Sequence, residues 1–253
     1  MSNTITTTAF GVDIGGSGIK GALVDLATGE LKTARVKYAT PQPSTPDALA
    51  EVVTRLTREA HWSGLVGATF PAVIQHGIAR TAANVDHSWI GTDVDAVFTK
   101  ATGCDVTVLN DADAAGLAEA KFGAAGGTGG VVILLTFGTG IGSALLVDGK
   151  LVPNTEFGHL ELDGADAEKR AAASAKDNED LSYRQWGKRV QRYLSHLEML
   201  FTPDLFVVGG GVSRHADKWV PQLELRTPVK AAELQNNAGI VGAALAAQEH
   251  FSS

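Results

Sequence analysis

The chain carries one cysteine, Cys104, in 253 residues. That excludes an intrachain disulfide and any metal centre built on several thiolates, and leaves Cys104 as core filler. No apolar run is long enough to cross a bilayer, and the opening MSNTITTTAF lacks the basic and apolar stretches of a secretory leader. A cytoplasmic protein with no membrane partner is expected. Positive charge is also short, with 21 Lys and Arg against 28 Asp and Glu and a net charge of −7, which argues against general nucleic-acid binding. One stretch runs against that balance: Lys169, Arg170, Lys176, Arg184, Lys188, Arg189 and Arg192 outnumber Asp177, Glu179 and Asp180. The commoner meaning of such a stretch is a solvated helix face.

Glycine, by contrast, is abundant, and its placement is informative. In FGVDIGGSGIKGALVDL, residues 10 to 26, Phe10, Val12 and Ile14 alternate as in a strand, and Ile19 to Leu26 form another. Gly15, Gly16 and Gly18 therefore make a hairpin with Asp13 at its mouth. Gly16, Gly18 and Gly21 satisfy G-x-G-x-x-G, but a dinucleotide fingerprint opens a helix and here a second strand follows. A P-loop fails as well, since no Gly-Lys-Ser or Gly-Lys-Thr closes the run. An ordinary tight turn remains open on these residues alone.

Further along, PQPSTPDALAEVVTRLTREAHW predicts a helix after three strands, and LVGATFPAVI and GIARTAANV read as strands. VTVLNDAD ends a strand, DAAGLAEAKFGAA is helical, and VVILLTFGTGIGSALLVDGKLV is again two strands around a glycine turn. LSYRQWGKRVQRYLSHLEMLF predicts a helix, LFVVGGGVS a strand entering a glycine loop, and NNAGIVGAALAAQEHF a closing helix. Sliding the chain by 123 positions lays DIGGSGIKGALVD over TFGTGIGSALLVD, with Gly15 on Gly138, Leu23 on Leu146 and Asp25 on Asp148. Two such units imply two related lobes, each offering backbone N–H groups that suit an oligophosphate.

Asn110 and Asp111 stand where a strand gives way to a helix. A carboxylate there could take a proton from an attacking hydroxyl, or Asp111 or Asp113 could cap the helix. NTEFGHLELDG supplies Glu156, His159 and Glu161, groups that accept hydrogen bonds from sugar hydroxyls. A Glu-x-x-His pair could also ligate a metal, but one His without thiolates leaves that set incomplete.

DIGGSGIKGALVD, LNDADAAGLAEA, LLTFGTGIGSALLVDGKL, EFGH and LFVVGGGVS, in this order, resemble the ROK family of sugar kinases, over nearly the whole chain. The resemblance implies an α/β protein with the two-lobed actin-like, hexokinase-like (ribonuclease H-like) ATPase fold, each lobe a five-stranded mixed sheet with helices, and an interlobe cleft. Residues 1–110 with 237–253 would form the small lobe and 111–236 the large one, the C-terminal helix crossing back to the first. Asp111 matches the family's catalytic base, acting on the sugar 6-hydroxyl. Asn84, Asn110, Glu156 and His159 match its sugar ligands. Gly15, Gly16, Ser17, Gly18, with Lys20 as a further candidate, and Thr136, Gly138, Thr139 and Gly140 match its phosphate loops. Gly209, Gly210 and Gly211 resemble the nucleotide-side loop, and Asp13 would hold Mg²⁺.

Where the family follows Glu-x-Gly-His with a cysteine-rich zinc motif, this chain has LELDGADAEKRAAAS, so no structural zinc is expected. By position Glu168 is the choice for the family's last sugar-binding glutamate, with Glu161 its rival. The missing zinc motif, the short length, ANVDHSWIGTD and DAEKRA together resemble the polyphosphate glucokinase branch. That implies phosphoryl transfer to glucose, and to mannose as a second sugar, from inorganic polyphosphate or ATP, with the basic stretch 169–192 a candidate polyphosphate track. Relatives are often homodimers. An ATP-only glucokinase is the nearest alternative. A repressor would need a helix-turn-helix ahead of the first loop, and an actin-like scaffold would have no use for a sugar site.

Overall fold

Strands β1 (Thr8–Ile14) and β2 (Ile19–Asp25) pair antiparallel from Thr8 opposite Asp25 to Ile14 opposite Ile19, leaving Gly15 to Gly18 as the turn. The computed structural model describes residues 7–83 and 85–252. Chain contacts divide it into unit 1, Met1–Ala118 with Asn236–Ser253, and unit 2, Glu119–Gln235. Among the described residues, no helix is long and apolar enough to cross a membrane.

In unit 1, β3 (Val36–Tyr38), β4 (Val66–Phe70) and β5 (Val106–Asn110) complete a five-stranded sheet in the order β3-β2-β1-β4-β5. The hairpin strands are antiparallel, and β1, β4 and β5 run parallel. Helices α1 (Pro46–Glu59) and α2 (Val94–Thr102) pack against each other, with Leu49, Val53, Leu56 and Phe98 in the core alongside Phe10, Phe70 and Trp89. Thr45 caps α1 through Ala48 N–H, Asp93 caps α2 through Ala96 N–H, and Gly103 ends α2 in the left-handed region. The single cysteine, Cys104, lies buried in this core.

The closing helix α7 (Ala238–Ser252) lies against β1, β4 and β5. Its approach is close enough to require glycine. A β-carbon on Gly67 would stand 1.7 Å from the Ala243 carbonyl oxygen, and one on Gly11 2.0 Å from that of Ile240. This is why β1 is buried on both faces rather than alternating.

Asp95, near the start of α2, is a half-buried acid with a measurable consequence. Burial pushes its carboxyl up to about 6, aided by the charge of Asp93 and opposed by the Val108 N–H and by His250. The folded state therefore holds this proton more tightly than the unfolded chain. The contribution is fully present below pH 3.8 and is lost as pH rises through about 6. After allowing for partial exposure, roughly 2 kcal/mol is at stake. Asp95→Asn should raise the melting temperature by roughly 4–8 °C at neutral pH and leave it nearly unchanged at about pH 3. Equal melting curves at both pH values would show that Asp95 ionises without cost.

Unit 2 repeats the plan with β6 (Val131–Phe137), β7 (Ile141–Val147), β8 (Lys150–Val152), β9 (Leu205–Gly210) and β10 (Val229–Ala231), in the order β8-β7-β6-β9-β10. Burial along β6 matches β1 residue for residue, and β7 nearly matches β2. The register corrects the gapless overlay of the two hairpins. Phe10 faces Leu23 in unit 1, while Ile133, its counterpart 123 positions on, faces Leu145. Leu23 thus corresponds to Leu145 and Asp25 to Val147, because the second turn, Gly138 to Gly140, is one residue shorter.

Helix α3 (Asp111–Phe122) carries the break between units, which falls after Ala118 and not at residue 110. Its first turns belong with α7, where a β-carbon on Gly242 would stand 1.7 Å from the Ala114 carbonyl oxygen. Its end is held in unit 2 by buried Glu119, whose carboxylate accepts the N–H groups of Ala124, Glu233 and Leu234. Helices α4 (Glu168–Ala171), α5 (Ala173–Asn178) and α6 (Tyr183–Phe201) follow, with Trp186, Tyr193 and Trp219 around Phe137 in the unit 2 core. The strand expected over GIARTAANV reduces to Ile78–Ala79, paired with Ile74–Gln75.

Candidate active site

In unit 1 the first glycine turn closes with the Gly15 N–H on the Gly18 carbonyl at 3.0 Å, and Thr40 donates to the Gly15 carbonyl. None of Gly15, Gly16, Gly18, Gly138 or Gly140 has the positive φ that favours glycine. At Gly16 and Gly138 the value is bare backbone, since a β-carbon there would meet nothing within 4 Å. A phosphate can approach such N–H groups closely. Ser17 is exposed at the tip.

Asp13 sits at the end of β1 beside the start of α7, where its Oδ1 would lie 2.9 Å from a β-carbon on Gly239. Thr69 donates to Asp13 Oδ1 at 3.2 Å and accepts the Ile14 N–H at 2.9 Å, and Lys20 Nζ lies 3.1 Å from Asp13 Oδ2. Lys20 is thus half-buried in an ion pair, not a free surface lysine. Lys37, on β3, lays its stem across the same turn, its Cε 2.6 Å from where a Gly18 β-carbon would stand. A lone lysine on a three-residue edge strand gives no local signal.

At the β5–α3 junction the cap is Asn110, neither of the two aspartates. Its Oδ1 accepts the N–H groups of Ala112 at 2.8 Å and Asp113 at 3.3 Å, and its Nδ2 donates to the Ala72 carbonyl at 3.2 Å. Asp113 is buried within the helix. Asp111 Oδ1 accepts the Ala112 N–H at 2.9 Å, which leaves acceptor capacity on the carboxylate. Solvent reaches Asp111, yet protein atoms surround it closely. Displaced water raises its pKa first, the Asp13 charge raises it further, and the Ala112 N–H opposes both. Such a carboxylate grips a proton more firmly than a free one, as a general base should.

In unit 2, Gly138 N–H closes the second turn on the Gly140 carbonyl at 2.9 Å. Ser174, at the start of α5, donates its N–H to the Gly138 carbonyl and its hydroxyl to that of Thr139. Thr136 takes the strand position that Asp13 holds in unit 1, opposite Gly142, and pairs with Gly209 on β9. Gly210 is forced by packing as well as by its φ of 81°, since a β-carbon would meet the Phe137 carbonyl oxygen at 2.1 Å. Gly211, next to it, is exposed.

The segment carrying Glu156 is pinned on both sides by buried Ser143, whose hydroxyl donates to the Thr155 carbonyl at 2.7 Å and accepts the Phe157 N–H at 3.0 Å. A serine inside a strand carries no sequence signal for that role. His159 Nε2 lies 3.9 Å from Glu156, and its Nδ1 lies 3.6 Å from Asp166 and 3.8 Å from Glu168. Glu168 joins two parts of the site: Oε2 accepts the Ile141 N–H at 3.0 Å, just past the second turn, while Oε1 faces His159. That carboxylate fills the space a side chain on Gly140 would need, at 2.4 Å. Of the two rival glutamates the structure brings Glu168 to His159, and Glu161 is exposed on a two-residue strand. His159, Asp166 and Glu168 also bring possible ligand atoms within 4.8 Å of one another. Asn84 lies outside the described residues.

Residues 9–178 match the ROK family. The chain is 57% identical over 238 residues to the polyphosphate glucokinase of Mycobacterium tuberculosis H37Rv, covering 94% of this chain and 90% of that one. Its fold is similar to the crystal structure of the inorganic polyphosphate/ATP-glucomannokinase from Arthrobacter sp. strain KM, with TM-score 0.90 and 51% identity, covering 97% of this chain and all of that one. It is also similar to a ROK family glucokinase from Streptomyces griseus in complex with glucose and AMPPNP, with TM-score 0.82 and 26% identity, covering 96% and 99% of the two chains.

Proposed function

The chain belongs to the ROK family, and on that footing we propose that it transfers the terminal phosphoryl group of inorganic polyphosphate or ATP to the 6-hydroxyl of glucose, with mannose as a second acceptor. Glu168 supports this reading most, because one carboxylate serves both a bare glycine turn suited to phosphate and a Glu/His cluster suited to sugar hydroxyls. Glu156, His159, Glu168 and Asn110 are the sugar ligands in this reading, with Asn84 a further one by family position.

Phosphoryl transfer needs alignment and charge neutralisation more than covalent help. Asp111 orients the 6-hydroxyl and takes its proton as the new O–P bond forms and the bond to the departing phosphate chain breaks. The two glycine turns, with Lys20 and Lys37, hold donor phosphates through N–H groups and positive charge. Gly209 to Gly211 border the nucleotide when ATP is the donor.

Kinases of this kind work with a divalent cation, and the residues around Asp13 fit Mg²⁺. That ion keeps much of its water and is held by one or two carboxylates together with substrate phosphates. Asp13 offers one carboxylate, partly exposed and braced by Thr69 and Lys20. The bound ion would neutralise charge on the donor.

The acceptor atom can be tested with 6-deoxyglucose. It should compete with glucose and yield no phosphorylated product. A phosphorylated 6-deoxyglucose would place the transfer on another hydroxyl.

A further inference from the structure

The seven cations between Lys169 and Arg192 do not share one face. Lys169 lies 3.6 Å from Asp166, and Lys176 pairs with Asp177 and stacks over the Tyr183 ring. Four others, Arg170 from α4 and Lys188, Arg189 and Arg192 from α6, line a single cavity of about 390 Å³ in unit 2.

Two acids also line this cavity, and each is already matched. Arg189 Nη1 donates to Glu179 Oε1 at 2.7 Å, and Arg192 lies 3.0 Å from Asp163 Oδ1. Lys188 has no ion-pair or hydrogen-bond partner among the described residues, and Arg170 donates only to the Asp163 carbonyl, at 3.4 Å. The cavity therefore keeps an excess of two positive charges in a chain whose net charge is −7. Tyr193, in the same wall, has its hydroxyl buried without a hydrogen-bond partner, so a donor is left over as well.

Its place in the fold narrows the ligand. Ala167 and Ala171 in the cavity wall flank Glu168, the residue that holds the second glycine turn at Ile141. The cavity thus opens within about one helical turn, ~5.4 Å, of the residue bracing that turn. The excess positive charge suits an anion, and an extended phosphate chain is an anion that could reach from the second turn to this wall. Resting on the donor reading above, we infer that this cavity binds the trailing phosphates of an inorganic polyphosphate chain, beyond those that react. In a nucleoside triphosphate the phosphates soon give way to an uncharged sugar and base, which gain nothing from these cations.

The test compares wild type with the double variant Arg170→Glu, Lys188→Glu, using long-chain polyphosphate, tripolyphosphate and ATP as separate donors. KM for long-chain polyphosphate should rise about tenfold or more, and its dependence on salt should flatten as charge contacts are lost. Turnover with ATP and the KM for glucose should stay at wild-type values, which also shows that the variant is folded. An unchanged KM for long-chain polyphosphate, with ATP turnover intact, would overturn the cavity assignment alone. If wild type transfers nothing from polyphosphate while using ATP, the donor reading itself fails and the inference falls with it.

Discussion

Asp111→Asn lowers kcat by about 10²- to 10⁴-fold while glucose still binds, the loss expected when a general base is replaced by a neutral group of the same shape. The amide oxygen can keep the Ala112 N–H bond that Asp111 makes at 2.9 Å, so α3 should start where it does in the wild type. The pH profile is a second readout. Crowding by protein, the largest cause, holds the Asp111 carboxyl above the ordinary aspartate range. In the proposed mechanism Asp111 acts in its ionised form, so activity should rise with pH through a midpoint above that range, and the variant should lose that limb. Steady-state kinetics with calorimetric glucose binding separates the cases. Near-normal turnover in Asp111→Asn would remove Asp111 as the base.

Glu168→Ala should be nearly as costly, and in a different pattern. Glu168 releases two structures when it goes: the Ile141 N–H that fixes the second glycine turn, and the imidazole of His159. Hydrogen bonds to charged groups contribute about 1.5–3 kcal/mol each, or roughly 10- to 100-fold per bond. In Glu168→Ala both the glucose KM and the donor KM should rise. In Glu168→Gln the amide oxygen can still accept from Ile141, so the glucose KM should rise while the donor KM stays close to wild type. Equal effects on both substrates in the Gln variant would show that Glu168 braces the loop without touching sugar.

Much of the framework was legible in the residues. Glycine-broken apolar runs marked both hairpins, because a reversal between two strands needs a turn and the side-chain pattern on each side is unmistakable. The placement of Asn110 and Asp111 at a strand-to-helix junction was legible for the same reason. What escaped was whatever depends on one residue of turn length or on contacts between distant segments. The echo of the two hairpins looked gapless because Gly15, Leu23 and Asp25 fall on Gly138, Leu146 and Asp148, and only the pairing of Phe10 with Leu23 and Ile133 with Leu145 exposes the shorter turn. Asn110 took the cap that the aspartates were expected to compete for. That Glu168 and not Glu161 stands beside His159 depends on the short hairpin that starts at Glu161, in which Glu161 pairs with Asp166 and is exposed. The basic stretch showed its charge but not its sorting, since Arg170 and Lys188 meet only when α4 and α6 pack together.

The most direct measurement is glucose 6-phosphate formation by the wild-type chain with glucose, Mg²⁺ and a single donor, polyphosphate in one reaction and ATP in another, with Asp111→Ala as the blank. Product from both donors, abolished or nearly so in the blank, is the expected result. No product from either donor would contradict the proposed phosphoryl transfer to glucose.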